Sequence, residues 1–65
     1  MNIFEILTLR SEYMELVLNM RVPGEYKEGT LEGLTWFLDE GVSKNKRFKG
    51  TKRAAEIAKT ILDAV

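Results

Sequence analysis

The chain has 65 residues, ten basic and ten acidic side chains, no cysteine and no histidine. That inventory leaves room for one domain, residues 1–65, and excludes disulfides and the common zinc sites, so no metal or other cofactor is expected. A chain this short buries only about 60% of the surface its unfolded form exposes. An unusually good helical core or self-association must then supply the stability, and a homodimer is expected.

The first predicted element is a helix from Asn2 to about Met20. Glu5, Thr8, Glu12, Glu15 and Asn19 recur at spacings of three or four and form one narrow polar stripe. Ile3, Phe4, Ile6, Leu7, Leu9, Met14, Leu16, Val17, Leu18 and Met20 make nearly all the rest of the cylinder apolar. Asn2, followed three residues later by Glu5, has the pattern of a capping box. So narrow a polar stripe predicts a helix covered on most sides, which two short helices can hardly accomplish alone. Leu9, Leu16, Val17 and Met20 are therefore assigned to a partner or dimer interface. Glu5, Arg10, Glu12 and Glu15 interrupt the segment too often for a signal peptide or a membrane span. A cytoplasmic protein without membrane association is expected.

Pro23-Gly24 ends this helix, because the residue before a proline is pushed out of helical geometry. Residues 22–29 read as a loop with Tyr26 as its anchor. Thr30 is the predicted N-cap of a second helix, 31–40, terminated by Gly41, with Leu31, Leu34, Trp36, Phe37 and Leu38 as its apolar surface. Gly33 inside it weakens it by about 1 kcal/mol relative to alanine and permits the close approach of another helix. Residues 42–50 carry no helical period. A third helix, 51–64, follows, with Ala54, Ala55, Ala58, Ile61, Leu62 and Val65 on its apolar side. The expected fold is a small all-α domain of three helices.

Catalysis is excluded on inventory. Without histidine the common acid–base and nucleophilic triads are missing. Asp39-Glu40, the only adjacent acidic pair, points in two directions about 100° apart on a helix. There is no phosphate-binding glycine loop and no calcium loop. The chain is also short for enclosing a substrate pocket, so no small-molecule substrate is expected.

Charge is the more informative property. Residues 1–43 hold three bases against eight acids, and residues 44–65 hold seven bases against two acids. Six of the ten residues from Lys44 to Arg53 are basic, with Phe48 among them. Lys52 and Arg53 fall in the first turn of the third helix, where the helix dipole disfavours cations by several tenths of a kcal/mol each. A bound anion would relieve this penalty and the mutual repulsion of the basic run: the helix start after Gly50-Thr51 offers free N–H groups, with Lys46, Arg47, Lys49, Lys52 and Arg53 around it and Phe48 available to stack on a base. Nucleic acid or an acidic protein surface is the expected partner. The same bases are equally explained by pairing with the chain's own acids, Asp39, Glu40 and the Glu25/Glu28 loop, or by solvation.

The pattern Leu31-x-x-Leu34-x-x-x-Leu38-x-x-Gly41, a basic connection, and Gly50-Thr51-Lys52 opening a helix resembles the helix–extended-loop–helix motif of SAP and LEM domains. The resemblance covers residues 30–65 and leaves the first helix outside. It implies two roughly parallel helices with DNA or a DNA-bound protein as partner. The connection is longer than is usual in SAP domains, and the Gly-Pro of the LEM loop is missing.

A competing reading starts from the first helix. Its all-round apolar surface, with Met14 and Met20 as adaptable contacts, suits a regulator or inhibitor that binds a partner protein or itself. Alternatively, it is the central helix of a compact three-helix core.

Overall fold

The computed structural model describes residues 1–42 and 51–65. Helix α1 spans Ile3–Val17 and α2 spans Leu31–Trp36. A π-helical segment, Phe37–Val42, continues α2, and α3 spans Thr51–Ala64. A single 3₁₀ turn, Gly24–Tyr26, lies between α1 and α2. The described residues form a small all-α domain of three helices, and none of these helices is long and apolar enough to cross a membrane.

Local chemistry accounts for the helix starts. The Asn2 side chain accepts a hydrogen bond from the Glu5 backbone N–H at 2.9 Å. Its amide nitrogen also donates to the Glu5 carboxylate at 3.4 Å, giving a variant of the reciprocal capping box. Thr30 Oγ1 accepts from the Gly33 N–H at 3.0 Å, satisfying one of the orphan donors of α2.

The helix ends depart from expectation. α1 stops at Val17 rather than near Met20: the Leu18 N–H reaches back only three residues to Glu15, and Met20 does the same to Val17. The Lys27 ammonium donates to the Leu18 carbonyl at 2.7 Å, a cation placed where the helix dipole favours one. Gly41 does not terminate the second helix. At Phe37 the backbone N–H is shared between the carbonyls of Gly33 and Leu34. From there the path widens to π geometry and runs through Gly41, which is buried.

The core gathers Tyr13 and Val17 from α1, Val22 from the following loop, Leu34 from α2, Phe37 from the π segment, and Ala54, Ile57, Ala58 and Ile61 from α3. Ile57 completes the apolar side of α3 predicted from its neighbours, whereas Val65 is exposed. The small Ala54 and Ala58 are fully buried and allow α3 to pack against α1, α2 and the π segment. Tyr13 and Phe37 meet edge to face, with ring centroids 5.5 Å apart and an interplanar angle of 88°, the arrangement the ring quadrupoles favour. The Tyr13 hydroxyl donates to the Tyr26 carbonyl at 3.3 Å. Tyr26 anchors its loop as expected, by stacking on Trp36 with centroids 4.9 Å apart and planes 7° from parallel.

At Gly33 the closest approach is that of the 3₁₀ turn. A Cβ at this position would lie 2.9 Å from the Tyr26 carbonyl oxygen.

Candidate functional site

Of the proposed anion-binding residues, Lys46, Arg47, Phe48 and Lys49 lie outside the described residues. Thr51 opens α3, and Lys52 and Arg53 are exposed in its first turn. Arg53 is committed within the chain. Its Nε and one terminal nitrogen donate to the two Glu12 oxygens at 2.5 and 3.0 Å. Its other terminal nitrogen lies 3.6 Å from the Glu56 carboxylate. These hydrogen bonds hold the Glu12 carboxyl below its ordinary range and raise the Arg53 guanidinium further. The penalty of a cation at a helix start is thus answered at Arg53 by the chain's own acids. At Arg53 those acids are Glu12 and Glu56.

Of the residues assigned from sequence to a partner interface, Leu9, Leu16 and Val17 lie on the inner side of α1 and Met20 in the turn that follows it. Val17 is fully buried in the core, and Leu9, Leu16 and Met20 are half-buried against it. The core needs this face because Tyr13 and Val17 sit on it, so Val17 is closed to a partner.

The opposite side of α1 is open. Ile3, Phe4, Leu7, Met14 and Leu18 are 60, 76, 47, 39 and 63% exposed. Phe4, Leu7, Ser11, Met14 and Leu18 follow one another at spacings of three, four, three and four, so they form one continuous stripe along the helix, with Ser11 its only polar member. Thr8 and Glu15 border this stripe on one flank, and Ile3 and Arg10 border it on the other. Arg10 Nε donates to the Glu28 carbonyl at 3.2 Å. The stripe was legible as a heptad spacing. It was obscured because the inner side of the same helix is apolar as well, and periodicity does not tell two apolar faces apart.

A second feature is a shallow hollow beside the Tyr26–Trp36 stack, bordered by Leu31, Glu32 and Asp39. Among the described residues no group of three or more acidic side chains is arranged to hold a metal ion. No buried side-chain nitrogen or oxygen among them lacks a hydrogen-bond partner.

Compared with known proteins, the chain matches no family model, no curated protein and no solved structure.

Proposed function

We propose that the chain is a non-catalytic protein-interaction module whose working surface is the outer side of α1. The observation that carries this reading is the stripe Phe4–Leu7–Met14–Leu18, exposed along the length of α1. Single exposed apolar residues are ordinary on any protein, but a contiguous row of large ones is the mark of a docking surface. A helix that offers apolar anchors at spacings of three and four is read by partners in the same way as any amphipathic recognition helix.

The anionic-partner reading keeps one support, the density of bases between Lys44 and Arg53. Against it stands the pairing of Arg53 with Glu12 and Glu56, which uses one of the cations that an anion would require.

A photoreactive residue in place of Leu7, and separately in place of Lys52, tests the two surfaces in the full chain. Protein adducts from position 7 and none from position 52 are expected. Adducts from position 52 alone would overturn the reading. So would binding of labelled DNA, seen by fluorescence anisotropy, that weakens steeply between about 50 and 200 mM salt.

A further inference from the structure

On the reading that the outer side of α1 is an interaction surface, we infer that its occupant is a second copy of this chain, with the two α1 helices parallel and in register. The first ground is the seam itself. Spacings of three and four repeated from Phe4 to Leu18 are those of the two apolar positions of a heptad, which keep one face of a helix against a partner helix. α1 is 15 residues long, enough for two such repeats. Ser11 stands in the middle of the seam, where an in-register parallel pair brings it against Ser11 of the second copy, so that the only polar side chain in the row meets its own kind.

The second ground is charge, and it chooses the direction. In a parallel two-stranded pair, the residue flanking the seam on one side lies across from the residue five positions later on the other flank of the partner helix. Arg10 then faces Glu15 of the second copy, and the two-fold axis forms the pair twice. Ile3 and Thr8, both uncharged, fall opposite each other by the same rule. Antiparallel packing would set each Arg10 flank against its like, and each Glu15 flank against its like. Both charges are available. Among the described residues Arg10 uses only its Nε within the chain, on the Glu28 carbonyl, and Glu15 makes no ion pair.

The third ground is area. Five large side chains at these exposures present roughly 500 Å² per copy, at the upper end of apolar patches on monomers. If the partner covers all of it, two copies bury at most about 1,000 Å², the lower bound for a specific interface. An interface at that bound gives a weak dimer that dissociates on dilution.

Sedimentation velocity on the full chain over a dilution series measures this directly. Wild type is expected to shift from dimer to monomer. Met14→Glu combined with Leu18→Glu should weaken association at least tenfold, with the helical circular dichroism unchanged because both positions are exposed. Glu15→Lys and Arg10→Glu should each associate more weakly alone and more tightly when mixed, since only the mixed pair restores opposite charges. The chain has no cysteine, so Leu18→Cys introduces a unique thiol, and in the parallel pair it should crosslink to itself on mild oxidation. Crosslinks that appear only when Phe4→Cys is mixed with Leu18→Cys would overturn the parallel arrangement. A chain that stays monomeric to millimolar concentration, folded, would overturn the second copy. In that event adducts of position 7 to a different protein would still sustain the interaction surface, whereas their absence would remove both.

Discussion

The Arg53 guanidinium grips the Glu12 carboxylate through two donors, tying the first turn of α3 to the middle of α1 across 41 positions of sequence. Both side chains are substantially exposed, so solvent screens the pair and its role is more to fix where α3 starts than to stabilise strongly. Its pH dependence has a definite sign. Because folding lowers the Glu12 carboxyl below its usual value of 4.5, the stability it contributes is present above that value and is lost as pH falls through the lowered one. Glu12→Gln should therefore be less stable than wild type at neutral pH, and the gap should close on acidification. Urea melts at a series of pH values test this; a gap that widens in acid would refute it.

Tyr13 sets the alkaline limit. Burial pushes its hydroxyl up from 10 to about 12, because a phenolate would be stranded in the core beside Phe37 and against the Tyr26 carbonyl. A raised value in the folded state means stability that is complete below pH 10 and declines as pH rises toward 12. Two units correspond to at most about 3 kcal/mol. Tyr13→Phe keeps the ring contact and should lose about 1 kcal/mol at neutral pH through the missing hydrogen bond, while removing this part of the alkaline decline. Chemical denaturation of both proteins at intervals from pH 9 to pH 12 supplies the comparison.

Two glycines should respond to alanine for different reasons. Gly29 has φ of +71°, and a Cβ there would fall 2.5 Å from Arg10 Cγ. The left-handed backbone and the displaced Arg10 together predict a loss of about 2 kcal/mol. At Gly33 alanine gains about 1 kcal/mol of helix propensity. Its Cβ, however, meets the Tyr26 carbonyl oxygen at 2.9 Å, and that oxygen belongs to the backbone and cannot rotate away. Gly33→Ala should be destabilising overall by about 1 kcal/mol, with the 3₁₀ turn displaced. Trp36, the only tryptophan and the partner of Tyr26 in the stack, reports on that turn. Its emission should change in Gly33→Ala and stay as in wild type in Gly29→Ala.

Where chemistry was local, the sequence was a sufficient guide. Asn2 and Thr30 cap as their side chains suggest, α3 occupies the expected 51–64, and Tyr26 anchors its loop. Where the outcome depended on which distant surfaces meet, it was not. Leu16 and Leu18 are chemically equivalent and two positions apart, yet one lies against the core and the other in solvent. Which of the two faces the core takes depends on where the other elements pack, and the apolar spacing within α1 does not reveal it. The Glu12–Arg53 pair was hidden for the same reason, since neither residue's neighbours point to the other. The second helix widens after Trp36 and runs through a buried Gly41, whereas a glycine near a helix end reads from sequence as a stop. For the candidate site, the heptad spacing on α1 was present in the sequence, and what was missing was the knowledge of which apolar face the core consumes.

The two N-caps allow a prediction that separates local from cooperative structure. Each accepts one backbone hydrogen bond, at 2.9 Å for Asn2 and 3.0 Å for Thr30, and replacing such a cap by alanine costs about 1 kcal/mol. Asn2 begins a helix whose first turn carries the exposed Ile3 and Phe4, so the end of α1 can fray without disturbing the core. Thr30 begins a helix of only six residues that delivers Leu34, and through the π segment Phe37, to the centre of the core. Fraying there removes buried contacts, so Thr30→Ala should lose the full amount, about 1 kcal/mol or more, and Asn2→Ala only a fraction of it. Hydrogen exchange gives the sharper reading. Asn2→Ala should speed exchange only in the first turn of α1, whereas Thr30→Ala should speed it in α2 and also across α3, which packs on α2. Equal, purely local effects of the two substitutions would mean that α2 is not the cooperative link between the turn at Tyr26 and the core.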